Sequence, residues 1–333
     1  MSKLILIATL VTTITIGGYL LLRQEKPKYM GSLEKVTIAE AGQPIGALLY
    51  VAFKNGYFTN EGLDITLNPY TSGKDSLNSV LEGRADLATT AETPIMYTLL
   101  AGKTHHTIAT IGTTEENMAV IARKDRGIST FSDFKGKKFG ATSRTNGAFF
   151  LYTLLISNGI STDDVEIVNL RPEETFNALM EGKVDAVSTW NPHLVKLQKE
   201  LGDKAISFYG KGIYVFTWNI VARKNFVIEK PEVTLKIVRA LVKAEEFIRE
   251  NPDEAKNIVA RYLKIDRASL SELWGAYDFK VVLDQFLLVT FEDQARWAIR
   301  SNLTNATEVP NYLDYIYIDA LEKVKPEAVT IIQ

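Results

Sequence analysis

From Lys35 onward, short apolar runs alternate with longer amphipathic ones. Val36–Ile38, Leu63–Leu67, Asp86–Thr90 and Thr107–Ile111 read as strands, with helices after Pro44, from Lys74 and from Pro94 between them. Alternation of this kind builds a mostly parallel sheet with helices on its faces. A longer apolar run, Met118–Ala122, leads into Arg123-Lys124-Asp125-Arg126-Gly127, and a second series begins with Phe131–Gly140. It continues through a helix at Ala148–Asn158, a strand at Val165–Val168, a helix at Glu173–Met180, a strand from Val184 and a helix after Pro192. Another apolar run, Tyr214–Ala222, is followed by helical patterns at Val233–Arg249, Asp253–Tyr262, Ala268–Trp274, Phe291–Ser301 and around Leu321. This C-terminal part is expected to pack back on the first series.

The two series share a repeated segment. Asn78-Ser-Val-Leu-Glu-Gly-Arg-Ala-Asp86 with Leu-Ala-Thr-Thr90 returns as Asn177-Ala-Leu-Met-Glu-Gly-Lys-Val-Asp185 with Ala-Val-Ser-Thr189. Each copy reads as a helix closed by Gly83 or Gly182, a strand, and a new helix opened by Thr93-Pro94 or Asn191-Pro192. Upstream, Lys54-Asn55-Gly56 before Leu63–Leu67 is echoed by Ser157-Asn158-Gly159 before Val165–Val168. Two copies are too few for a solenoid, which needs about three or more, so two facing α/β lobes are expected. Ala119–Lys124 and Asn219–Lys224 also resemble each other and bracket the second series, which suggests two strands of one hinge. The expected division is 33–122 with 220–333 as a discontinuous lobe one, and 123–219 as lobe two.

Charge and composition narrow the function. A net charge of −2 gives no basic footprint, so nucleic acid is not an expected partner. The chain has no cysteine, hence no disulfide, thiolate metal site, cysteine nucleophile or lipoprotein attachment. Leu4–Leu22 is an uncharged run after Lys3. It is long for a signal-peptide core and long enough to span a bilayer, but rich in Thr and carrying Gly17-Gly18. Either a cleaved export signal or a retained membrane tether fits, and both put the body in a periplasmic or other extracytoplasmic compartment. Residues 1–32 are thus read as signal or anchor plus linker.

Ligands of such folds collect beyond the carboxyl ends of strands, where helix N-termini present free N–H groups. Lobe one offers Gln43 before Pro44, Ser72-Gly73, and Glu92-Thr93; lobe two offers Thr142-Ser143-Arg144-Thr145 and Trp190-Asn191. One Ser, Thr or Asn before a helix is an ordinary cap, contributing about 1 kcal/mol; five polar loops at equivalent strand ends point to a cleft for something small and negatively charged. Arg144 has the fork for a carboxylate or sulfonate. Glu92 would suit an amine on the ligand, or else bond loop amides. Trp190 and Trp218 would form an apolar wall, or else serve as core. His105, His106 and His193 make no chelating pair, and there is no phosphate loop, dinucleotide fingerprint or nucleophile elbow. No catalytic residue, metal or cofactor is expected.

From about Lys35 to Asn251 the chain resembles the periplasmic solute-binding proteins of ABC importers, in the nitrate, sulfonate and taurine group related to thiamine-pyrimidine binders. The carriers are Gln43-Pro44-Ile45-Gly46, Asn55-Gly56-Tyr57-Phe58, Glu61-Gly62-Leu63-Asp64, Ser72-Gly73, Leu81–Asp86, Asp133–Lys138, Val184-Asp185-Ala186 and Trp190-Asn191-Pro192. The resemblance implies a type II periplasmic binding fold and a monomer whose two lobes close on a ligand held by the loops named above. It also implies an ABC permease as partner. Asn191 departs from the Asp usual after that Trp. Two other readings stay open: a membrane-tethered sensor, and an enzyme like the yeast thiamine-pyrimidine synthases, which need a cysteine-rich segment that this chain lacks.

Overall fold

The computed structural model describes Tyr29 and residues 31–332, so the apolar run 4–22 lies outside the described residues. Three strands, β1 (Glu34–Glu40), β2 (Leu63–Pro69) and β3 (Leu87–Ala91), lie parallel with β1 in the middle. Each is followed by a helix: α1 (Ala47–Lys54), α2 (Gly73–Leu81) and α3 (Glu92–Leu100). β4 (His105–Thr114) closes the edge of this sheet. The place between β3 and β4 is taken by a strand from far along the chain, β10 (Phe216–Arg223), which runs against both neighbours.

The second sheet repeats that plan. It uses β5 (Met118–Arg123), β6 (Lys138–Ala141), β7 (Glu166–Asn169), β8 (Ala186–Trp190) and β9 (Ala205–Tyr209), with helices α4 (Asn146–Ser157), α5 (Thr175–Met180) and α6 (His193–Leu201). The strand orders are β2-β1-β3-β10-β4 and β7-β6-β8-β5-β9. β10 in the first sheet and β5 in the second hold the same position, each antiparallel between two strands of the opposite direction. The similar segments Ala119–Lys124 and Asn219–Lys224 therefore do not pair as one hinge. They are alike because each fills the same slot in its own sheet, and the chain passes between sheets over residues 115–117 and 210–215. The expected boundaries at 122/123 and 219/220 consequently fall inside or at the end of strands that belong to the opposite sheet.

The repeated segment is used identically in both halves. Gly83 and Gly182 sit at φ 75° and φ 72°, conformations that favour glycine, and end their helices with the same pair of backbone bonds. Asp86 accepts from the Thr37 amide at 3.0 Å, and Asp185 accepts from the Lys138 amide at 3.0 Å. Each carboxylate thus tethers an equivalent strand, β1 in the first sheet and β6 in the second. The helix starts differ from the expectation. α3 begins at Glu92, with Thr93 and Pro94 inside its first turn, where a missing N–H costs nothing. α6 begins at His193, and the Asn191–Pro192 peptide is cis.

After β10 the chain is helical: α7 (Lys224–Glu229), α8 (Pro231–Glu250), α9 (Pro252–Leu263), α10 (Arg267–Trp274), α11 (Gln285–Arg300) and α12 (Asp319–Val324). α8 buries Val233, Ile237, Val238, Leu241 and Ala244 and packs on α1. The tail does return to the first sheet, because Thr107, Thr110 and Thr113 of β4 bridge to Ile316, Val282 and Asp278 and cover that edge. α11 starts six residues before the expected Phe291, where Asp284 accepts the Leu287 amide as N-cap. No described helix is long and apolar enough to cross a membrane.

Candidate functional site

At the carboxyl end of the first sheet, Trp218 determines the geometry. A Cβ on Gly46 would lie 3.2 Å from its Nε1, and one on Gly73 would lie 2.9 Å from its Cη2 and 2.9 Å from the Thr90 Cα. The indole therefore spans from one helix start to the next, leaving little room for a side chain at Gly46 and none at Gly73. Its Nε1 is buried without a hydrogen-bond partner, as are Thr90 Oγ1 and Oε1 of Gln43, the residue before the Pro44–Gly46 turn. Ser72 accepts the Asp75 amide and is a plain N-cap.

The second sheet presents a parallel arrangement. Trp190 ends β8, and a Cβ on Gly147 would lie 3.1 Å from its Cζ3. Thr145 caps α4 by accepting the Gly147 amide, and its hydroxyl donates to the Thr142 carbonyl at 2.7 Å. Thr142 Oγ1 is buried and unpartnered. Asn191 donates its amide to the Asn117 carbonyl and lies against the Tyr277 hydroxyl, whose pKa burial pushes up. Buried polar atoms are normally satisfied, and these orphans lie at corresponding strand ends of the two sheets.

Glu92 is employed elsewhere. It is fully buried, and its carboxylate accepts from the Tyr214 hydroxyl, the Thr217 amide at 3.0 Å and hydroxyl at 3.2 Å, Gln294 Nε2 at 3.3 Å and the Thr93 hydroxyl at 3.3 Å. Burial raises its pKa, and these hydrogen bonds offset part of the rise. Glu92 and Thr93 thus join α3 to β10, to α11 and to the 210–215 crossing rather than offering free oxygens to a ligand. Nothing in the sequence pattern singles out Tyr214, Thr217 or Gln294 as partners, since they lie more than 120 residues away.

Ser143 and Arg144 lie at the exposed edge, not in the interior. Lys74, one residue past the α2 N-terminus, donates to the Ser143 carbonyl at 3.1 Å, which brings the two sheets' loops together. Arg144 has φ 57°, the left-handed region that few non-glycine residues occupy. Among the described residues there is no group of three or more His, Asp or Glu placed to hold a metal ion.

This arrangement has counterparts. The sequence pattern of NMT1/THI5-like proteins matches residues 43–255, which covers every strand but β1 and runs into the start of α9. The chain belongs to the NMT1/THI5-like family. A Brucella abortus (strain 2308) relative, named as a candidate binding protein, is 26% identical over 226 residues, covering 66% of this chain and 68% of the relative. A Bacillus subtilis (strain 168) relative, named as a candidate aliphatic sulfonates-binding protein, is 25% identical over 227 residues, covering 66% and 67%. Among solved structures, the alkanesulfonate-binding protein SsuA of Xanthomonas axonopodis pv. citri, solved bound to MOPS, superposes with a TM-score of 0.75 at 15% identity. That match covers 86% of this chain and 99% of the other and shows the periplasmic binding protein fold. Within this NMT1/THI5-like chain, the matched span contains every candidate residue named above.

Proposed function

We propose that this chain is the extracytoplasmic solute-binding component of an ABC importer and closes its two halves on a small organic anion. The observation that carries the reading is the set of buried, unpartnered polar atoms at facing strand ends: Gln43, Thr90 and Trp218 from one sheet, Thr142 from the other. Trp190 and Asn191 complete the wall, while Ser72, Gly73 and Thr145 shape the helix starts that line it. Helix N-termini on both sides favour a negative ligand. Relatives named for aliphatic sulfonates make a sulfonate-like anion the first class to examine.

Closure would turn on the two crossings. Gly212 donates its amide to Glu115 Oε2 at 2.9 Å, so the crossings are bonded to each other, and Gly212 sits at φ 71°. Rotation there would move 118–209 as one body against 33–114 with 216–332. An ABC permease would then recognise the closed form.

Thermal melts against alkanesulfonates, taurine, nitrate, bicarbonate and thiamine pyrimidines test the reading. A ligand at 100 times its dissociation constant adds about 2.7 kcal/mol. One selective upward shift is the expected result; a flat response to every anion in this set would remove the reading's ligand class.

A further inference from the structure

Two cavities at the rim between the halves adjoin each other. The larger, about 760 Å³, is lined by Lys74, Lys103 and Arg144, with no Asp or Glu on its wall. The smaller, about 330 Å³, is lined by Tyr97, Tyr152 and Trp297 among mainly apolar neighbours, again with no carboxylate. Tyr97, Arg144 and Leu303 line both. Some exposed cations elsewhere pair with acids, as Arg171 does with Glu174 and Arg296 with Glu292. Lys74, Lys103 and Arg144 have no ion-pair partner among the described residues.

The cations act on one another and on the aromatic wall. Partial burial lowers the pKa of Lys74, Asp75 opposes this, and the Arg144 charge lowers it further. The Tyr97 hydroxyl is pushed up to about 12 by burial, with Arg144 pulling it down. In the smaller cavity the rings of Tyr97 and Tyr152 pack around Trp297 at centroid distances of 6.2 Å and 5.2 Å. Trp297 is only 7% exposed, and its indole N–H has no hydrogen-bond partner. That is a donor removed from water, at a cost unless an acceptor meets it, on a residue that lines a mainly apolar chamber.

We propose that these two chambers form one site, separate from the strand-end cluster, for an aryl carboxylate or aryl sulfonate. The anionic group sits among Lys74, Lys103 and the Arg144 fork, and the ring enters the Tyr97, Tyr152 and Trp297 chamber. Arg144 stands at the junction, where a guanidinium can pair with an oxyanion and stack on a ring at once. Each chamber by itself is within the size range of small-molecule sites, roughly 300–1,000 Å³. Residues from both sheets line the site, so an occupant would bridge the halves.

The probe is 2-naphthoate, titrated calorimetrically into the full protein beside acetate, which supplies charge alone, and 2-naphthylmethanol, which supplies the ring alone. Naphthoate is expected to bind at least tenfold more tightly than either. Arg144→Gly suits the φ 57° backbone while removing the fork; it and Lys103→Gln should each weaken naphthoate at least fivefold and change naphthylmethanol less than twofold, with unaltered melting temperatures. Naphthoate binding no better than acetate would overturn the proposal, as would an Arg144→Gly affinity within twofold of wild type or equal losses for acid and alcohol. Alkanesulfonate binding in a protein that rejects naphthoate would defeat this site and leave the cleft reading standing.

Discussion

A carboxylate with several donors aimed at it is the clearest residue-scale feature of this fold. Glu92 has a raised pKa in the folded protein because it is fully buried. The folded state therefore holds its proton to higher pH than the unfolded chain does. The stabilisation from that proton is present in full below the ordinary glutamate pKa and fades as pH rises through the folded value. Comparing urea unfolding of wild type and Glu92→Gln across this window should show the wild-type advantage shrinking with rising pH. A difference that grows with pH would mean that the hydrogen bonds outweigh burial. Glu92→Ala, which strands Tyr214, Thr217 and Gln294, should cost about 1–3 kcal/mol or more at neutral pH. The sequence places Glu92 between a strand end and a helix start, but its partners lie on β10, α11 and the 210–215 crossing, and one-dimensional spacing holds no trace of that long-range choice. Ser72 and Thr145, by contrast, are caps that their position beside a helix start makes legible.

At the scale of elements, the repeated segment makes a paired prediction. Asp86 and Asp185 do the same work on the Thr37 and Lys138 amides, so Asp86→Ala and Asp185→Ala should each lose about 1–3 kcal/mol, measured by denaturant unfolding. A loss at one site with none at the other would mean that the second sheet does not depend on its tether. Gly73→Ala should also destabilise, by about 1–3 kcal/mol, because its Cβ would meet the Thr90 backbone and the Trp218 ring. Most strands and helices are legible because apolar periodicity and glycine stops are local. The half-exposed edge strand β9, Ala205–Tyr209, has no such pattern and is not foreseen. The similarity of Ala119–Lys124 to Asn219–Lys224 is visible in the sequence, yet its meaning is not. Equivalent slots in two sheets and two strands of one hinge leave the same imprint, and only pairing distinguishes them.

For the whole molecule, a small anion held between the two halves would draw them together. Trp190→Ala should weaken that ligand by about tenfold or more while the protein stays folded, measured by calorimetric titration. A carrier suited to uptake would bind at ~1 μM or tighter, about −8 kcal/mol. Because the chain has no cysteine, two introduced ones report without background. Spin labels at Glu82→Cys and Lys183→Cys, exposed sites whose segments belong to different sheets, measure the separation directly by pulsed electron resonance. With an anion that raises the melting temperature, the distance distribution should narrow and shift to shorter values. An unchanged distribution at saturating ligand would contradict closure on the ligand.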